Sequence, residues 1–116
     1  MTTVINEWKS VNTVIQANSW ITAYTFTVQS AGWYAVNTSV ESSVSSSVST
    51  YMVSINELNV DDPFGMTTCY PSMNVKPRLA IFGIYYFTKG NSYRIRVAST
   101  VMRTCEHTHM ILLKFF

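Results

Sequence analysis

LAIFGIYYF, residues Leu79 to Phe87, has no side that water would favour. Its β-branched and aromatic residues suit an extended chain, and along a strand successive side chains point to opposite faces. Leu79, Ile81, Tyr85 and Phe87 then share one face, and Ala80, Phe82, Ile84 and Tyr86 the other. His109 to Phe116 (HMILLKFF) has the same character. Strands that are apolar throughout belong to sheets covered on both faces, and no amphipathic helix in this sequence offers the second cover. Another copy of the chain would supply it. Burying Phe82, Ile84 and Tyr86 contributes roughly 1.5–3 kcal/mol each, a sum comparable with the net stability of a small domain.

Composition agrees with a single domain that hides much of its surface. The 116 residues are 47% apolar and only 12% charged, against about 25% charged in an average soluble domain. The net charge is +2 and the basic residues are scattered singly from Lys9 to Lys114. A phosphate-backbone binder needs a basic stripe, so no nucleic-acid partner is expected. No run approaches the ~20 apolar residues of a spanning helix, and MTTVINEWKS lacks the charged and apolar regions of a secretory leader. Neither membrane insertion nor export is expected. Whether Cys69 and Cys105 are bridged is not fixed by their spacing.

Reading outward from the apolar runs, strand periodicity fills most of the chain. Residues 1–19 are polar with scattered β-branched residues and are expected to form an extended arm or attachment segment; residues 20–116 are expected to form the folded domain. Trp20, Tyr24, Phe26 and Val28 read as one face of a strand, and Ser30-Ala31-Gly32 as a turn. Tyr34, Val36, Thr38 and Val40 follow on the next strand. The serine-rich tract from Ser39 to Ser49 reads as a hairpin rather than a linker, because Tyr51, Val53 and Ile55 resume the alternation at once. Asn59 to Pro77 collects turn formers and is the longest irregular region. Lys89-Gly90-Asn91 turns the chain into Tyr93, Ile95 and Val97, with Arg94 and Arg96 on the opposite face. Many short strands with Gly/Pro punctuation and no helix define an antiparallel sandwich or barrel.

Phe26-Thr27-Val28-Gln29-Ser30-Ala31-Gly32-Trp33-Tyr34 resembles the early-strand signature of the tumour necrosis factor and complement globular-head superfamily, a Phe-x-Val, a turn, then Gly-x-Tyr. Phe87-Thr88-Lys89-Gly90-Asn91-Ser92-Tyr93-Arg94-Ile95 is similar to that family's apolar strand, Lys-Gly-Asp turn and following strand. The resemblance extends from about Trp20 to Phe116. It implies an all-β, antiparallel jelly-roll β-sandwich that forms a homotrimer, with the inner sheets packed around a threefold axis. The two apolar runs would then be inner-sheet strands, and the arginine-bearing strand would lie in the outer sheet. Asn91 replaces the family's acidic residue, so a calcium site is not carried over. Lacking a leader and rich in Ser, Thr and Asn, the chain looks like the head domains of bacteriophage fibres and capsid decorations. That likeness implies a virion location, assembly in the host cytoplasm, other virion proteins as partners, and a host-surface receptor or glycan as ligand.

Catalytic chemistry finds little footing. Cys105-Glu106-His107-Thr108-His109 is the tightest group of potential ligands, and strict alternation would put Cys105, His107 and His109 on one face. Those three would span about 13 Å along a straight strand, too far for one ion, so no metal is expected. No Gly-x-Ser-x-Gly elbow is present, the four glycines are isolated and form no phosphate loop, and no carboxylate pair is specified. The expectation is a non-enzymatic protein without cofactors. Phe82, Ile84, Tyr86, Met110, Leu112 and Phe116 are the candidates for the trimer interface. Phe64, Tyr70, Trp33 and Met66 fall in or beside loops, and of these Phe64 and Tyr70 are the candidates for ligand binding. The alternative reading is a soluble signalling or carbohydrate-binding jelly-roll module.

Overall fold

Eight strands account for the periodicity, and two sheets account for the burial. A computed structural model of the chain describes residues 1–60, 67–72 and 76–116, the segment 67–72 by its backbone pairing alone. In chain order the strands are β1 (Thr2–Ile15), β2 (Ser19–Thr27), β3 (Gly32–Ser42), β4 (Ser49–Glu57), β5 (Thr67–Ser72), β6 (Arg78–Phe87), β7 (Ser92–Ser99) and β8 (Arg103–Lys114). One sheet has the order β1-β8-β3-β6 and the other β2-β7-β4-β5, and every pairing is antiparallel. Except from β4 to β5, each strand is followed by one in the opposite sheet, as in a jelly roll. Both apolar runs, β6 and β8, lie in the first sheet, and the arginine-bearing β7 lies in the second.

The core sits between the sheets and is built from the faces that alternation assigns. Tyr34, Val36 and Val40 of β3 and Ile81 and Phe87 of β6 meet Tyr51, Val53 and Ile55 of β4 and Tyr93, Ile95 and Val97 of β7, all with almost no exposure. Phe87 anchors one end, with its ring centroid 4.4 Å from Tyr93 and 5.5 Å from Phe26, the latter edge-on, a favoured aromatic geometry. The Tyr34 hydroxyl donates to the carbonyl of Ser30 at 2.5 Å and closes the β2–β3 turn. Gly32 and Gly90 carry positive φ at the two turns read from the sequence.

Four expectations need correction. Residues 2–15 are extended but not a free arm. They hydrogen-bond along β8 as an edge strand, with Ile5, Val11 and Ile15 packed against the core. The serine-rich tract is not a hairpin, because β3 and β4 belong to different sheets and residues 43–48 cross between them. Val44 and Val48 are accordingly exposed. Trp20 leaves the face of Tyr24, Phe26 and Val28, since the β2–β7 register shifts between Thr22 and Tyr24 and the extra residue reverses the alternation. Last, Cys105 does not share a face with the two histidines. The register of β8 shifts on both sides, from Glu41↔His107 to Ser42↔Cys105 on β3 and from Ser10↔His107 to Thr13↔Cys105 on β1. Glu106 is therefore a bulge residue. Cys105 turns into the core while His107 and His109 stay outside.

Several polar groups buried at this end bond one another or nearby backbone. Ser42 Oγ lies 2.6 Å from the Tyr51 hydroxyl. The Arg103 guanidinium, 2% exposed, donates to the Ser43 carbonyl and to Ser49 Oγ, each at 2.6 Å. One arginine thus ties down both ends of the serine-rich crossing. Burial pushes the Cys105 thiol up to about 11 and raises the Tyr51 phenol well above its usual range. Cys105 is a free thiol.

Candidate functional site

The outer face of the first sheet carries the side chains that the fold leaves without a partner. On β6 the expected division holds. Ile81 and Phe87 are buried and Leu79 and Tyr85 pack against the core, whereas Phe82, Ile84 and Tyr86 project outward at 62%, 55% and 46% exposure. Their cross-strand neighbours extend the surface. Tyr86 pairs with Trp33, 56% exposed, and the two rings meet edge-on at 5.5 Å. Ile84 faces Ala35, which faces Leu113 on its other side. Phe82 faces Asn37, and Asn37 faces Ile111. A fully exposed aromatic side chain presents 150–250 Å², so Trp33, Phe82, Ile84 and Tyr86, together with Ile111 and Leu113, leave on the order of 500 Å² of apolar area on one face. That is at the upper end of what a monomer normally exposes.

Toward the other end the same face becomes polar. Trp8 of β1, 57% exposed, lies over the two histidines of β8, with ring centroids 4.4 Å from His107 and 5.5 Å from His109. His109 Nε2 is 2.9 Å from Asn6 Oδ1, and His107 Nε2 is 3.6 Å from Glu41 Oε1. Glu41 lies opposite Arg78 in register, and Glu106 pairs with Lys76 at 2.9 Å. Among the described residues no three His, Cys, Asp or Glu side chains are placed to hold a metal ion.

The remaining interface candidates divide. Met110 and Leu112 are 0% exposed and point between the sheets, so they belong to the core of the single chain and cannot meet a neighbouring subunit. The reason is the bulge at Glu106, which fixes which alternating series of β8 turns inward. Ile111 and Leu113, the opposite series, face outward instead. Phe116 is fully exposed beyond the end of β8, where the Phe115 N–H donates to the Trp33 carbonyl at 2.9 Å. Phe64 lies outside the described residues, as does the side chain of Tyr70, whose backbone pairs with Tyr51. Trp8, Ile111 and Leu113 were missing from the sequence-based candidates, and Trp33 was read there as a residue in or beside a loop rather than as part of a sheet face. Alternation on β3 pointed to Trp33, which stands opposite in phase to Tyr34 and Val36.

The outer face of the second sheet is different in kind. Arg96 lies over the Trp20 ring at 5.2 Å and Arg94 Nη2 donates to the Val60 carbonyl at 3.1 Å. In register Arg96 and Arg94 stand opposite Ser54 and Asn56, which are buried, and Ser54 Oγ donates to Asn56 Oδ1 at 2.8 Å. This is a surface suited to water. A polar hollow of about 210 Å³ lies between Glu57, Leu58 and Asn59 and the Gly90–Ser92 turn, smaller than the ~300 Å³ at which small-molecule sites begin. No helix among the described residues is long and apolar enough to cross a membrane.

The fold defines the chain as an all-β, antiparallel jelly-roll sandwich. No protein-family model matches the sequence, and no curated protein matches it. Among solved structures it is similar to a carbohydrate-binding module of Cellvibrio mixtus lichenase 5A, determined in complex with cellotriose. That likeness has a TM-score of 0.47 and 12% identity, and covers 99% of this chain and 91% of that one.

Proposed function

We propose that this chain is a non-enzymatic assembly module: three copies close around a threefold axis through the outer face of the β1-β8-β3-β6 sheet, and the opposite sheet and the loops face outward. The observation that carries this reading is the exposure of Phe82, Ile84, Tyr86 and Trp33 on one sheet face, while among the described residues the other sheet's outer face carries Arg94, Arg96, Ser54 and Asn56. Another copy of the chain is the natural occupant, because the face has a charge-balanced end, with Lys76 and Arg78 against Glu106 and Glu41. The placement of both apolar strands in one sheet and of the arginine strand in the other supports the threefold arrangement that the superfamily resemblance implies. In that setting the module would serve as a virion fibre head, receptor-binding tip or capsid decoration, and threefold display would multiply a weak single-site affinity. Sedimentation equilibrium at micromolar concentration is expected to give three times the 13.1 kDa chain mass; a monomer would sink the assembly reading.

A second reading, glycan recognition, is favoured by the exposed Trp33–Tyr86 pair at the end of the sheet, whose rings present faces on which a sugar stacks. Binding on a glycan array that is lost in Trp33→Ala with the oligomeric state unchanged would support it. An array without signal removes it.

A further inference from the structure

The only two histidines in the 116 residues both lie on the face proposed for assembly, side by side on β8 and covered by the same tryptophan. Histidine is the side chain whose ordinary titration falls between pH 5 and 8. We propose that His107 and His109 make assembly pH-sensitive, with mild acid separating the copies while each remains folded. This rests on the assembly reading above.

The surroundings decide the sign. Facing the imidazoles from β1 are Asn6, Trp8 and Ser10, all uncharged, and from β3 Ser39 and Glu41. Arg78 of β6 stands beyond Glu41 in register, and Glu106 of β8 is held by Lys76. With both histidines neutral, two cations meet two carboxylates and this end of the face carries no net charge. Two added protons give each copy a charge of +2 there, and three copies bring all of it toward one axis. Glu41, 3.6 Å from His107, offsets one of these charges. Among the described residues the hydrogen-bond partner of His109 is the neutral Asn6, at 2.9 Å, and its ring neighbour is Trp8. Closing the face removes water, and burial disfavours a charged imidazole. The assembled state therefore binds fewer protons than separated copies, and association weakens as the pH falls through the imidazole range. The bulge at Glu106 is what places both rings on this side, since unbroken alternation would have kept them with Cys105.

The test compares sedimentation velocity and far-UV circular dichroism at pH 7.5 and 5.0 for the wild type, His109→Gln and the double variant H107Q/H109Q. The expected result is a trimer at pH 7.5, folded monomers at pH 5.0 for the wild type, and trimers at both pH values for the double variant. His109→Gln alone should recover most of the lost trimer. A wild type that stays trimeric at pH 5.0 overturns the inference and leaves the assembly reading standing. Acid dissociation undiminished in the double variant also overturns it, because other groups would then be responsible. A monomer at pH 7.5 overturns the assembly reading and this inference with it.

Discussion

Replacing Ile84 with Asp separates the two roles a residue on β6 can have. Ile84 is 55% exposed, so about half of the roughly 1.5–3 kcal/mol for fully burying an isoleucine is still available when a neighbour covers it. Over three copies that is about 2.5–5 kcal/mol, a hundredfold to a few thousandfold in the trimer constant. The aspartate adds the cost of desolvating three carboxylates near one axis, several kcal/mol per ion without a partner. Within one copy the same change falls on a half-exposed strand position and should cost at most about 1 kcal/mol, the range of strand propensity. Ile81, three residues earlier and 0% exposed, is the matched control: Ile81→Ala should lose about 2–5 kcal/mol of folding stability and leave the assembly face untouched. Sedimentation velocity with urea denaturation checks both. Ile84→Asp should give folded monomers, and Ile81→Ala less stable trimers. A trimer that survives Ile84→Asp, or an Ile84→Asp chain that unfolds, refutes the assignment of faces.

Other consequences follow from the buried polar end. Arg103→Ala removes the donors to the Ser43 carbonyl and Ser49 Oγ, and should cost about 2–4 kcal/mol in chemical denaturation, with faster proteolysis between residues 43 and 48. Cys105, in a Cys69→Ser background, should resist thiol reagents at pH 8 in the native chain and react at once in urea. Because burial raises that thiol from 9.0 to about 11, the folded state keeps a proton that the unfolded state releases. Its contribution is complete below pH 9 and is lost as the pH rises to 11, on the order of 2–3 kcal/mol, and a Cys105→Ala variant should show a shallower decline across that window.

The sequence made the strands of the core legible wherever alternation was unbroken. Tyr34 to Val40, Tyr51 to Ile55, Leu79 to Phe87 and Tyr93 to Val97 all keep the faces that their spacing assigns. It failed where one residue interrupts the period. Trp20 and Cys105 were assigned to the wrong side because bulges leave no mark in composition, and each reverses everything beyond it. The division of β8 into Met110 and Leu112 inside, Ile111 and Leu113 outside, depends on that same bulge. β1 escaped notice for another reason. It is an edge strand with three inward contacts in fourteen residues, too few to produce a visible hydrophobic period. The serine-rich crossing looked like a turn between paired strands because the arginine that organises it, Arg103, lies sixty residues later.

The irregular edge of β1 bears on what this chain does while it is still alone. A freshly made copy exposes both an apolar sheet face and a long outer strand, the two features that promote fibre-like growth. The register of β1 is broken between Thr3 and Ile5 and again between Ser10 and Thr13, where Asn12 takes a left-handed backbone at φ 50°. An incoming strand therefore meets at most the run Ile5–Ser10 in a single register along this edge. Edge pairing at β1 is thus interrupted by its own bulges, whereas β6, the other edge of the same sheet, keeps its register with β3 unbroken from Arg78 to Phe87, so edge-wise growth of the chain would begin at β6.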